Sequence, residues 1–226
     1  MTDRLGRTHL RTNVQWAYPA YHDRADAGRA LAEWVDPPPD AGALVFALPR
    51  GGVPVGRALA DAIGCDMLPV LVRKLPIPSS PEMGFGAITV DGTMTLNQAV
   101  VRAHGIGPAT IRRVADDTRE EVVRRSRLYP GGWPLPGLEG RHVWLTDDGL
   151  ATGFSAIAAA RMIRSHGAGA LALAVPCGPV GTVTRLAGEV DDVWCAIAQT
   201  EGSFAVASYY RDFHDMSDAE VVALLG

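Results

Sequence analysis

The stretch Val143-Trp144-Leu145-Thr146-Asp147-Asp148-Gly149-Leu150-Ala151-Thr152-Gly153-Phe154-Ser155 constrains the fold more than any other part of this chain. A short apolar run ends in two acids, turns through small residues and continues into Ile157 to Ile163, which reads as helix. That order describes a buried strand feeding a helix through a Gly-rich turn. Adjacent carboxylates at a strand end repel each other and lose hydration unless a polar ligand or cation occupies them. A sugar phosphate suits both halves of the turn. Asp147 and Asp148 can accept from hydroxyls, while backbone N–H groups and the Thr152 and Ser155 hydroxyls can take a phosphate.

The flanking sequence repeats the strand-to-helix order. Asp23 to Val35 carries Ala27, Leu31 and Trp34 near helical spacing, and Asp36-Pro37-Pro38-Pro39-Asp40 ends it. Leu44 to Leu48 reads as a buried strand, Val55 to Ile63 as a helix and Leu68 to Val72 as a second strand. Between Pro108 and Leu128, Ile111, Val114, Ala115, Thr118 and Val122 share a helix face. Arg113/Asp117, Glu120/Arg124 and Glu121/Arg125 are spaced as pairs along its solvated side. Ala170 to Val175 and Val190 to Ala196 fit further strands, with Val180 to Ala187 between them. The expected class is therefore α/β, an open parallel sheet flanked by helices.

In such a sheet, ligands gather beyond the carboxyl ends of the strands. Four loops are expected there: Pro49 to Gly52, Arg73 onward, Asp147 to Ser155, and Pro176 to Val180. Leu75 to Asn97 is rich in Pro, Gly and Ser without a sustained period, although Ala87 to Val90 suits a short strand. Met1 to Val14 is polar and aperiodic and reads as a mobile or surface-laid extension, with residues 1–20 set apart from a single domain over 21–226.

The segment Val143 to Ser155 resembles the signature of the type I phosphoribosyltransferases: apolar residues, Asp-Asp, small residues, then Thr-Gly and a hydroxyl residue. Leu48-Pro49-Arg50-Gly51-Gly52-Val53-Pro54-Val55-Gly56 resembles that family's pyrophosphate loop, and Val72-Arg73-Lys74 its nearby basic strand end. Pro81-Glu82-Met83-Gly84-Phe85-Gly86-Ala87-Ile88, Tyr210-Arg211-Asp212-Phe213 and Ser217-Asp218-Ala219-Glu220-Val221 look like a bacterial subgroup of stand-alone members. The resemblance runs from about Tyr21 to the C-terminus.

It implies a hood-like β excursion or mobile cover over residues 75–98, a homodimer, and 5-phosphoribosyl 1-pyrophosphate (PRPP) as donor. Gly149, Leu150, Ala151, Thr152, Gly153, Phe154 and Ser155 would wrap the 5-phosphate, while Asp147 and Asp148 would bind the ribose hydroxyls. Arg50, Lys74, Gly51 and Gly52 would hold the leaving pyrophosphate. Mg²⁺ would bridge donor oxygens and meet Asp147 and Asp148 directly or through water. The acceptor would lie against Pro176, Cys177, Gly178, Pro179 and Val180, with Glu82 as a further candidate. Cys177-Gly178 and Phe154-Ser155 depart from the subgroup's commoner residues, and no side chain in the acceptor loop is clearly suited to reading a base edge.

Composition narrows the alternatives. A net charge of -4 gives no global attraction to nucleic acid or an anionic membrane, so a phosphate site must be local. Cys65, Cys177 and Cys195 are odd in number and lie in or beside apolar segments, which suits buried thiols in a reducing compartment. The scattered His residues offer no H-E-x-x-H zinc site. Arg4, Arg7 and Arg11 precede no apolar signal core, and no run approaches the ~18 to 20 residues that span a bilayer, which points to cytoplasmic residence. Gly52 to Gly56 is not a dinucleotide fingerprint, and Thr146-Asp147-Asp148 lacks the Asp-x-Asp of a haloacid dehalogenase-like nucleophile. A non-catalytic sensor of nucleotides or sugar phosphates is the main competing class. It would keep the phosphate loop and drop the basic contacts that Arg50 and Lys74 supply.

Overall fold

The computed structural model describes residues 7–11, 19–36 and 42–226. Most of the Pro-rich helix stop and the remainder of the N-terminal extension lie outside the described residues. Strands β1 (Arg7–Leu10), β9 (Asp192–Gln199), β8 (Ala170–Pro179), β7 (His142–Thr146), β2 (Leu44–Ala47) and β3 (Asp66–Pro69) stand in that order in a six-stranded sheet. Every neighbouring pair runs parallel. The central strands are apolar throughout because both faces are covered: Leu44, Val45, Phe46 and Ala47 are all buried, as are Val143, Trp144 and Leu145.

Helices α1 (Arg24–Ala32), α2 (Gly52–Ile63) and α7 (Asp218–Leu225) pack together, and α5 (Phe154–Ser165) and α6 (Val180–Leu186) make the crossovers from β7 through β8 to β9. A second, antiparallel sheet of β4 (Val72–Ile77), β5 (Ser80–Thr89) and β6 (Met94–Leu96) forms the hood. After it come α3 (Gln98–Ala103) and α4 (Pro108–Ser126). Leu75, Ile77, Phe85, Ile88, Ile106, Val114 and Ala115 close a small core between the hood and α4, and α5 packs against all three hood strands. The fold is thus the expected α/β architecture with a hood.

Several local expectations need correction. Within the expected mobile or surface-laid extension, Arg7–Leu10 is laid down as an edge strand, which its aperiodic sequence does not signal. Its backbone pairs with β9 whatever its side chains are, and Arg7 and His9 both reach Asp192. The hood contains more strand than its sequence pattern suggests, because register shifts around Pro76 break the two-residue alternation. Lys74 lies within β4 of the hood and does not follow a strand of the main sheet. Pro176 to Pro179 is not a loop. Strand β8 continues through it because β9 runs equally far, pairing Cys177 with Ile197, Gly178 with Ala198 and Pro179 with Gln199. On α4, Arg113 meets Asp117 at 3.7 Å, whereas Glu121 turns to Arg73 of the hood and Arg125 to Asp218 of α7.

Candidate functional site

The chain leaves β2 toward β3 on one side of the sheet and leaves β7 toward β8 and β9 on the other. A crevice therefore opens beyond the carboxyl ends of β2 and β7, where the strand order reverses. The loops after these two strands are Pro49 to Gly52 and Asp147 to Gly153. They are tied at their roots, since Leu48 N–H donates to the Thr146 carbonyl at 3.0 Å.

Beyond that tie the first loop turns at once into α2, with a cis Pro49-Arg50 peptide and Gly52 N–H donating to the Leu48 carbonyl at 2.9 Å. The loop reaches the acidic pair only because it has no side chains at the crossing. A Cβ on Gly51 would stand 1.9 Å from Asp148 Oδ2, and one on Gly52 would stand 2.9 Å from Asp147 Cα. Arg50 is exposed.

Asp147 and Asp148 are half-buried, and burial raises the proton affinity of both. For Asp147 the charge of Asp148 adds to that rise, and the Asp148 N–H, donating to Asp147 Oδ1 at 2.9 Å, opposes it. For Asp148 the opposing partner is Arg24, whose Nε donates to Oδ2 at 2.8 Å. Among the described residues no group of three or more His, Cys, Asp or Glu side chains could cage a metal ion. A hard ion carried on substrate phosphates needs only one or two carboxylates. Asp147 fits that demand, because the guanidinium beside it is paired with Asp148.

The second loop is braced from behind. Leu150 N–H donates to the Cys177 carbonyl at 2.9 Å, Thr182 Oγ1 donates to the Ala151 carbonyl at 3.1 Å, and Arg185 donates to the Thr152 carbonyl. Gly149 packs where a Cβ would meet Cys177 Sγ and Val206 at 2.8 Å. Gly153 has φ 73°, the left-handed conformation that favours glycine, and starts α5 without a side-chain cap. The first N–H groups of α5, those of Phe154 and Ser155 included, therefore have no side-chain cap, and the aspartates do not cap the helix. Phe154 is half-buried with the Arg185 guanidinium 5.1 Å from its ring centre.

The remaining sequence candidates are dispersed. Lys74 is exposed on the hood, and its Nζ donates to the Glu82 carbonyl at 2.5 Å. Glu82 is itself exposed on β5. Cys177 is fully buried with its Sγ 3.8 Å from the Asp148 carbonyl, so it lines the back of the acidic loop. Gly178 packs against Leu150, and Val180 opens α6.

Sequence reasoning missed Arg24. It shares the buried stripe of α1 with Ala27, Gly28 and Leu31, and an arginine on such a stripe requires a partner. That spacing was the available signal. Tyr210 also belongs to the site, donating from its hydroxyl to the Asp148 carbonyl at 2.5 Å. Burial keeps its phenol protonated far above the usual range.

No family model matches the chain. Two proteins of Mycobacterium tuberculosis, from strains CDC 1551 / Oshkosh and H37Rv and provisionally named phosphoribosyl transferases, are each 42% identical to it over 205 residues. The match covers 91% of this chain and 46% of theirs, so the chain spans about half the length of these relatives. The crystal structure of TT1426 from Thermus thermophilus superposes with a TM-score of 0.74 at 33% identity, covering 91% of this chain and 97% of that one.

Proposed function

Because the chain belongs to the phosphoribosyltransferase family, we propose that it moves a 5-phosphoribosyl group from PRPP to a nitrogenous acceptor and releases pyrophosphate. The observation that carries this reading is the contact of Gly51 and Gly52 with Asp148 and Asp147. The glycine loop and the paired carboxylates thus stand side by side at the switch point of the sheet, which supports a site that takes phosphate and hydroxyl groups together.

In this reading the uncapped start of α5 and the Thr152 and Ser155 hydroxyls receive the 5-phosphate. Asp147 and Asp148 accept from the ribose 2- and 3-hydroxyls, and their charge disperses the positive charge that develops at C1. Arg50 and the Gly51 N–H receive pyrophosphate, with Lys74 reaching in from the hood, while the Gly52 N–H is engaged by the Leu48 carbonyl and holds the loop in shape. The bond from C1 to the pyrophosphate oxygen breaks while the acceptor nitrogen's lone pair bonds C1 with inversion, and the nitrogen then gives its proton to solvent. Mg²⁺, when bound with the donor, would neutralise pyrophosphate charge, with Asp147 as its protein contact directly or through water. Of the acceptor candidates, Cys177 and Gly178 are buried behind the acidic loop and Glu82 stands apart on the hood, which leaves the half-buried Pro179 and Val180 to meet an acceptor.

The test is purified protein with Mg²⁺ and PRPP, screened against purines, pyrimidines, simple amines and small aromatic acids, with pyrophosphate and ribosylated product both followed. Stoichiometric release of both supports transfer. PRPP binding without either product would favour the sensor reading, and no PRPP binding would reject both. Among the described residues no helix is long and apolar enough to cross a membrane.

A further inference from the structure

Arg24, at the start of α1, is only 7% exposed. Its Nε donates to Asp148 Oδ2 at 2.8 Å, its Nη1 donates to the His214 carbonyl at 2.9 Å, and its guanidinium stacks 3.8 Å from the Phe213 ring centre. Asp148 Oδ2 is also the atom that bars a Cβ from Gly51, and that Cβ would lie 3.2 Å from Arg24 Nε. Segments far apart in sequence thus converge on one carboxylate oxygen.

The C-terminal partners are themselves anchored. Tyr21 and Tyr210 form a parallel bridge, Arg211 N–H donates to the Tyr21 carbonyl at 2.9 Å, and Asp212 N–H donates to the His22 carbonyl at 2.8 Å. Tyr210 then reaches the Asp148 backbone from the other side. Segment 210–214 therefore grips Asp148 twice, once through its backbone carbonyl and once through Arg24.

The outer torsion of an aspartate is broad, so its carboxylate keeps one orientation only if a neighbour holds it. A planar guanidinium, stacked on a ring and tied to a second acceptor, has little freedom left and fixes what it bonds. Such a buried pair seldom adds stability over apolar packing, so its weight lies in the geometry it imposes. We infer that Arg24 is a positioning residue that seats Asp148 through Oδ2 against Gly51 and leaves Oδ1 for a ligand hydroxyl. This inference rests on the phosphoribosyl-transfer reading and extends it to the C-terminal segment, which becomes part of the donor site.

The experiment compares Arg24→Gln and Arg24→Lys with the parent, using titrations with ribose 5-phosphate and with inorganic pyrophosphate in Mg²⁺, and crystal structures of the ligand-free proteins. Arg24→Gln should weaken ribose 5-phosphate binding about tenfold or more, the scale of a hydrogen bond to a charged group, and leave pyrophosphate within about twofold. Arg24→Lys should recover part of the loss, because it keeps the charge but cannot hold Asp148 and the His214 carbonyl together. If the Gln variant fails to fold, the Lys variant carries the same comparison at a smaller loss. Equal losses for both ligands, or an Asp148 carboxylate that keeps its seat against Gly51 in a ligand-free variant, would overturn the assignment. A parent that binds neither ligand would instead reject the transfer reading, and the crystallographic seat of Asp148 would still decide the role of Arg24.

Discussion

Gly52 lies so close to Asp147 that a Cβ on it would come within 2.9 Å of the Asp147 Cα and 3.1 Å of the Thr146 carbonyl oxygen. Both neighbours are backbone atoms, which cannot swing aside as a side chain can. Gly52→Ala should therefore force the two loops apart and cost about 1–3 kcal/mol. The melting temperature should fall by about 2–4 °C for each kcal/mol. Donor affinity should fall with it. A thermal melt and a PRPP titration check this, and unchanged values in both would mean that the loops do not meet as described.

Asp148→Asn nearly preserves volume, and its amide oxygen can still accept from Arg24. It removes the charge that the proposed transfer requires at the ribose end of the site. Turnover should fall on the order of 10- to 1000-fold, as for loss of a transition-state electrostatic contact. Folding should change far less. Steady-state rates beside a denaturant titration separate the two effects, and parental turnover in the variant would take this carboxylate out of the mechanism.

Arg50 and Lys74 belong to different parts of the fold, one on the loop after β2 of the main sheet and the other in β4 of the hood. Arg50→Ala should weaken pyrophosphate binding more than ribose 5-phosphate binding. Lys74→Ala should show the same preference with a smaller loss, because Lys74 must first leave the Glu82 carbonyl. Raising the ionic strength should shrink both differences at an exposed site. Competition titrations with the two anions measure this, and losses equal for both ligands would contradict the division.

The segment that holds Arg24 should respond to pH. Asp212 and then Glu220 hold the His214 imidazolium and raise its proton affinity above the ordinary value of 6.5. Its contribution is full below that value and is lost as pH rises through the folded-state value. Ser217, through its backbone N–H and hydroxyl, and then His214 lower Glu220 from 4.5 to about 2, so that contribution is full above 4.5 and is lost as pH falls through the lowered value. Protection of the Arg211 and Asp212 amides against hydrogen exchange should thus peak between pH 4.5 and 6.5 after correction for the intrinsic exchange rate. His214→Gln should flatten the neutral side of that profile, and an unchanged profile would assign the pH response elsewhere.

The local geometry of the candidate site was legible because it is contiguous. Asp147 to Ser155 and Pro49 to Gly52 carry their strand, turn and helix signals within a few residues. What escaped was non-local. Arg24 meets Asp148 across most of the chain, and a sequence window around either residue shows no reason for the pairing. Pro176-Cys177-Gly178-Pro179 reads as a break from its own composition, yet a partner strand of equal reach keeps it extended. In the hood, shifted pairing hides the alternation that would mark its strands, and β1 is held by backbone bonds that leave little trace in side-chain pattern.

The pairing of β2 with β7 joins Leu44 to Val143 in the middle of the sheet, with α2, β3, the whole hood and α4 in the intervening chain. Closing so long a loop costs entropy before any contact across it is made, and such non-local pairing slows folding. The crevice between Gly52 and Asp147 exists only once that pairing is made, because its two walls are the loops that leave β2 and β7. A chain with its helices in place and β2 still apart from β7 would lack the crevice, so ligand binding should report completion of the sheet's centre and not the content of secondary structure.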